Sequence, residues 1–147
     1  MSADIIIHTN NAEETIALGK KIGSFLKSGD IIAYSGTLAA GKTTLTKGIA
    51  EALEIDEEVT SPTFTIISEY EGKMPLYHID AYRLNNGDDF FNLGIDEMLY
   101  GKGITVIEWT ENVASEIPET AIWISIEITS SESRKITIKN WKYENLL

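Results

Sequence analysis

The spacing of hydrophobic and polar positions changes several times along the chain, and each change predicts an element. Asp4-Ile5-Ile6-Ile7-His8 is a short apolar run that reads as a strand, and Thr9, Asn10 and Asn11 behind it all suit the cap of a helix. Glu13 and Glu14 then fall in the first turn, where the helix dipole favours them, and Ile16, Ala17, Ile22, Phe25 and Leu26 carry an apolar face to a stop near Ser28-Gly29. Asp30-Ile31-Ile32-Ala33-Tyr34-Ser35 is a mostly apolar run, the pattern of a parallel strand buried on both faces. Leu45, Ile49, Ala52 and Leu53 recur at helical spacing and predict a second helix. Glu71-Gly72-Lys73 is a hairpin signal, so a strand running through Ile66 is expected to pair antiparallel with Leu76-Tyr77-His78-Ile79-Asp80. Phe90, Phe91, Leu93, Ile95, Met98 and Leu99 fit one or two short helices, and Ile104-Thr105-Val106-Ile107-Glu108 is another apolar run that ends in an acid. At the C-terminus Ile122, Ile124, Ile126 and Ile128 alternate with Trp123, Ser125, Glu127 and Thr129, a strand with one buried face. A turn at Ser130-Ser131-Glu132-Ser133 leads to a return strand marked by Ile136 and Ile138, and this hairpin is expected to close one edge of the sheet. The pattern predicts one α/β domain over residues 1–147, a mixed sheet flanked by helices with a C-terminal antiparallel hairpin.

Chemistry enters between the second strand and the second helix. Gly36-Thr37-Leu38-Ala39-Ala40-Gly41-Lys42-Thr43, followed by Thr44, fits the phosphate-binding P-loop pattern, and it has the required strand before it and helix after it. In that context successive backbone N–H groups and the positive end of the helix form a concave site for a polyphosphate. Lys42 would hold the β- and γ-phosphates and the Thr43 hydroxyl would ligate Mg²⁺. Alanines at 39 and 40 stand where such loops often use glycine, and an alanine held at positive φ costs roughly 1 kcal/mol, so Ala39→Gly is expected to tighten nucleotide binding.

Two further acids end apolar strands. Asp80 sits where P-loop NTPases place the acid that holds Mg²⁺, and Glu108 is placed to reach Mg²⁺ or to orient an attacking water. His78 alternates with Asp80 on one face; a partner role to that acid is open, with packing the plainer reading. Arg83 is either a charge for the transferring phosphate or one side of a salt bridge, and Trp109 either closes the site or packs. The hydroxyl-rich segment Val59 to Tyr70 is either an ordinary capped loop or a switch that senses the γ-phosphate. His8 is a lone histidine beside a strand, for which a surface or core role is the default.

Charge and composition narrow the function classes. The formal net charge is -11 and the chain has two arginines, Arg83 and Arg134, a balance that argues against this subunit gripping a nucleic-acid backbone by itself. There is no cysteine, so disulfide and thiolate chemistry are excluded. Neither a signal-peptide pattern nor an apolar run of the roughly 20 residues that span a bilayer is present, and a cytoplasmic location is expected.

The P-loop, Ser61-Pro62-Thr63-Phe64-Thr65, His78-Ile79-Asp80-Ala81-Tyr82-Arg83-Leu84 and Ile107-Glu108-Trp109-Thr110-Glu111 together resemble the TsaE (YjeE) family, the small ATPase of bacterial tRNA threonylcarbamoyladenosine modification. The resemblance covers nearly the whole chain. It implies a three-layer P-loop NTPase-like fold, weak Mg²⁺-dependent hydrolysis of ATP, and binding to a heterodimer of TsaB and TsaD. In that picture hydrolysis resets the complex between turnovers, and tRNA is met only through the partners. By position it implies that Lys42 holds phosphate, that Thr43 and Glu108 bind Mg²⁺, that Asp80 is the Walker-B-like acid and that Trp109 lies beside the site. Contacts to adenine would come from Thr9, Asn11 and Arg134. The sequence departs from the family at Thr37, where aspartate is usual, and at Ala39, where glycine is usual. Two rival readings share these residues: a small-molecule kinase, which two arginines supply poorly, and a nucleotide sensor without useful hydrolysis.

Overall fold

The computed structural model describes residues 4–35, 41–57, 59, 67–80, 101–108 and 117–143. In chain order the elements are β1 (Ile5–Thr9), α1 (Ala12–Phe25), β2 (Ile31–Ser35), α2 (Lys42–Ala52), β3 (Ile67–Tyr70), β4 (Leu76–Asp80), β5 (Ile104–Glu108), β6 (Ile122–Ile128) and β7 (Arg134–Lys139). The strands form one seven-stranded sheet in the order β1-β7-β6-β2-β5-β4-β3. It is an α/β fold, as the pattern of alternating elements predicts.

The middle of the sheet is parallel: β2 lies between β5 and β6 and runs parallel to both, and β4 runs parallel to β5. These are the strands whose sequences are near-continuous apolar runs, and every residue of β5 is buried. The antiparallel strands lie outside this core. β3 pairs with β4 across the Glu71-Gly72-Lys73 turn, as expected.

At the other side the expected arrangement is corrected. The β6–β7 hairpin does not close the edge; β1 does, pairing antiparallel with β7 through Ile5↔Ile138 and Ile7↔Ile136. The reason is continuity of the apolar row, since the same Ile138 and Ile136 face Ile124 and Ile126 on β6. The buried face of β6 also stops short of Ile128, which is 55% exposed, because pairing with β2 ends at Ser35↔Ser125.

Both helices pack on one face of the sheet. Leu18, Ile22 and Leu26 of the α1 region and Leu45, Ile49 and Leu53 of the α2 region share a core with Ile32, Tyr34, Val106, Ile124 and Ile138. The helices meet closely because glycines face each other: a Cβ on Gly19 would lie 2.1 Å from the Leu45 carbonyl oxygen, and one on Gly48 2.0 Å from that of Ile16. A second cluster, Ile31, Ala33, Ile79 and Ile107 with Ile117 and Ala121, forms on the opposite face. The 90–99 segment expected to supply helices lies outside the described residues.

α1 ends at Phe25, earlier than the expected Ser28-Gly29. Leu26 turns to extended backbone, and the Asp30 carboxylate then captures the chain by accepting from the Lys27 N–H at 2.7 Å. Asp30 also accepts from the Tyr143 hydroxyl and pairs with Lys142 Nζ at 3.2 Å, which pins the C-terminal segment under the start of β2.

Candidate nucleotide-binding site

Because β2, β4 and β5 are parallel, their C-terminal ends open on one edge of the sheet, the place where α/β proteins hold ligands. Gly41 lies just past the end of β2 in left-handed backbone, with φ 109°, and caps α2. Glycine takes this conformation without strain. The start of α2 has no side-chain cap and no acidic residue in its first turn. The N-terminal N–H groups and positive dipole end of a helix that starts in this way suit an acceptor from outside the helix.

Lys42 opens α2 and is only 2% exposed. Its carbonyl oxygen accepts from the Thr46 hydroxyl at 2.8 Å. With its hydrogen committed there, Thr46 accepts in turn from the Tyr34 hydroxyl, 2.9 Å away on the middle strand. Burial pushes the Tyr34 hydroxyl well above the ordinary tyrosine range, the Thr46 bond pulls it back in part, and the Glu108 charge adds to the rise. Tyr34 thus stays a donor, and the chain Tyr34–Thr46–Lys42 ties the first turn of α2 to β2. Thr43 and Thr44 follow on the same turn, each partly buried.

The two strand-end acids come into register, with Asp80 and Glu108 as Cα partners. Glu108 is 4% exposed and carries a hydrogen bond from His78 Nε2 to its Oε2. His78 has no exposed surface, as the packing reading expects, and it is in addition a buried donor, to Glu108 and not to Asp80. The sequence places His78 near Asp80, but strand register, which decides its partner, cannot be read from one strand alone.

A cavity of about 130 Å³ opens beside the start of α2, lined by Ala12, Thr15, Gly41, Thr44, Ser131, Glu132 and Arg134. It brings together the β1–α1 junction, the end of the P-loop and the β6–β7 turn. Arg134 is fixed in that turn by donating Nη1 to the carbonyls of Ser133 and Ser130, at 2.8 and 3.1 Å. The point where a Cβ on Gly41 would stand lies 3.7 Å from Arg134 Nε. Thr9 and Asn11 border this region but are engaged locally: the Thr9 hydroxyl bonds that of Thr15 at 2.8 Å, and Asn11 Oδ1 caps α1 by accepting from the Glu14 N–H at 2.8 Å. Their neighbours Ala12 and Thr15 line the cavity.

Gly36, Thr37, Leu38, Ala39 and Ala40 of the P-loop, the Ser61–Thr65 segment, Arg83 and Trp109 lie outside the described residues. Among the described residues no group of three or more histidine, cysteine or acidic side chains is gathered for a metal. No helix among them is long and apolar enough to cross a membrane.

Comparison with known proteins follows the same outline. A family model described as "Threonylcarbamoyl adenosine biosynthesis protein TsaE" matches residues 9–136. The tRNA threonylcarbamoyladenosine biosynthesis protein TsaE of Treponema pallidum is 45% identical over 130 residues, covering 88% of this chain and 96% of that protein. The TsaE of Bacillus subtilis is also 45% identical over 130 residues, covering 88% and 81%. Among solved structures, the crystal structure of Bacillus subtilis YdiB superposes with a TM-score of 0.76 at 39% identity, over 94% of this chain and 86% of that one. The chain belongs to the TsaE family of threonylcarbamoyl adenosine biosynthesis proteins.

Proposed function

We propose that this chain is an ATP-binding, weakly ATP-hydrolysing accessory subunit of tRNA threonylcarbamoyladenosine modification, one that resets a TsaB–TsaD heterodimer between turnovers. The observation that carries the reading is the start of α2, where a left-handed glycine, a helix without a side-chain cap and a buried lysine coincide. A polyphosphate suits all three, since it accepts from N–H groups at a helix start, sits at the positive dipole end and pairs with a lysine charge. The cavity between Thr15, Thr44 and Arg134 is where the nucleoside would extend from those phosphates. The net charge of -11 suits a subunit that meets tRNA only through its partners.

In this reading Gly41, Lys42, Thr43 and Thr44 bind and orient the phosphates, with the masking of charge shared between Lys42 and the helix end. The donor set also suits Mg²⁺, a hard cation that takes a hydroxyl and one or two carboxylates beside phosphate oxygens. Thr43, Asp80 and Glu108 would hold it, and when bound it would neutralise charge that builds on the phosphates. Glu108 would in addition orient a water toward the γ-phosphate from the end of β5. Burial of Lys42 and Glu108 makes each charge more effective than it would be in solvent.

The test separates binding from turnover. Glu108→Ala is expected to lower Mg²⁺-dependent phosphate release by about 100-fold or more, within the range for a positioned acid or base, while ATP affinity falls far less. A variant that hydrolyses ATP at the parent rate would make Glu108 a structural residue.

A further inference from the structure

The His78–Glu108 contact is one-sided. Nε2 donates to Oε2, while Nδ1 is buried and among the described residues has no hydrogen-bond partner. Val106, the register partner of His78, belongs to the apolar core beneath the helices, and a histidine placed beside it leaves one polar atom unsatisfied. A buried unsatisfied nitrogen costs stability that an apolar residue there would avoid. The return for that cost is the single bond it makes to Glu108. Among the described residues only Oε2 of that carboxylate is engaged, which leaves Oε1 for another ligand.

We propose that His78 is a positioning residue for Glu108: its Nε2–H fixes Oε2 and the carboxylate rotamer, so that Oε1 is presented to the Mg²⁺ of the nucleotide complex. The inference rests on the proposed metal role of Glu108. The register supplies the geometry, because His78 lies two residues before Asp80 on β4 and Asp80 is the Cα partner of Glu108. His78 therefore approaches Glu108 from within the sheet, on the side away from the strand ends. Groups that hold a metal-binding side chain in place in this way typically contribute 10- to 100-fold to metal affinity, and that range is roughly the effect expected here.

Two substitutions of similar polarity separate positioning from packing. In His78→Gln the amide nitrogen stands near the place of Nε2 and keeps the donor; in His78→Asn it stands near Nδ1 and cannot reach Oε2. The measurement is Mn²⁺ affinity of the protein saturated with a non-hydrolysable ATP analogue, read by electron paramagnetic resonance. Analogue affinity in EDTA and the thermal midpoint are recorded beside it. His78→Asn is expected to weaken Mn²⁺ roughly 10- to 100-fold with analogue affinity in EDTA unchanged, and His78→Gln to stay within about threefold of the parent. If His78→Asn does not fold, His78→Leu fills the space without a donor and takes its place. Parent-like Mn²⁺ affinity in the donor-free variant, with Glu108→Gln weakened, overturns the positioning role and leaves the metal role of Glu108 standing. Parent-like Mn²⁺ affinity in Glu108→Gln overturns the metal role, and the inference with it.

Discussion

The two helices lie side by side on the same face of the sheet, yet they begin in opposite ways. α1 starts from Asn11, whose Oδ1 accepts from the Glu14 N–H, while Glu14 Oε1 accepts from the Asn10 N–H at 2.9 Å, and Glu13 and Glu14 offset the dipole. α2 starts from a left-handed glycine with no side-chain cap and no acid, and its first residue is a buried lysine. One helix caps its own N-terminus with a side chain; among the described residues the other does not. The same contrast separates two buried carboxylates. Asp30, at the start of β2, is filled by the Lys27 N–H, the Tyr143 hydroxyl and Lys142. Glu108, at the far end of the neighbouring strand, is bound among the described residues at one oxygen, by His78. Glu108 and the start of α2 both stand at the C-terminal edge of the parallel strands, the place where α/β proteins hold ligands.

The contrast is open to direct attack at three points. The largest effect is expected from Lys42→Ala, which removes the charge at the open helix start. Loss of a charge-assisted bond to phosphate of about 3 kcal/mol corresponds to roughly 100-fold weaker ATP binding by calorimetry. Unchanged affinity would mean that α2 binds no phosphate. Next is Asp30→Ala, which empties the saturated carboxylate site. It is expected to cost about 2–3 kcal/mol of stability in a denaturant titration, with turnover per folded molecule unchanged. A large loss of turnover in the folded variant would erase the distinction between the two carboxylates. The smallest effect is Asn11→Ala, with about 1 kcal/mol lost from the cap and ATP affinity retained. A clear drop in ATP affinity there would give Asn11 a direct role toward the nucleotide beyond capping.

Much of this architecture is legible in the sequence because burial leaves a mark on it. β2 and β5 read as continuous apolar runs since both faces are covered, and the hairpin at Glu71-Gly72-Lys73 is announced by its turn residues. The P-loop pattern locates the start of α2 within one residue. What escapes the sequence is pairing across distance. Nothing in Ile5-Ile6-Ile7 says that β1 will cross the molecule to cover β7, because an apolar edge can be covered by any strand that reaches it. The link between His78 and Glu108 has the same origin, as register alone brings residues 30 positions apart into contact. The cavity follows this rule too: the resemblance points to Thr9 and Asn11, and the fold adds Ala12 and Thr15 beside them in the lining that Arg134 shares.

The most direct measurement is release of phosphate from ATP by the purified chain, alone and then with TsaB and TsaD added. Slow Mg²⁺-dependent release by the chain alone, and faster release in the presence of both partners, is the expected result. ATP that binds but is not hydrolysed under either condition would contradict it and leave a nucleotide sensor in its place.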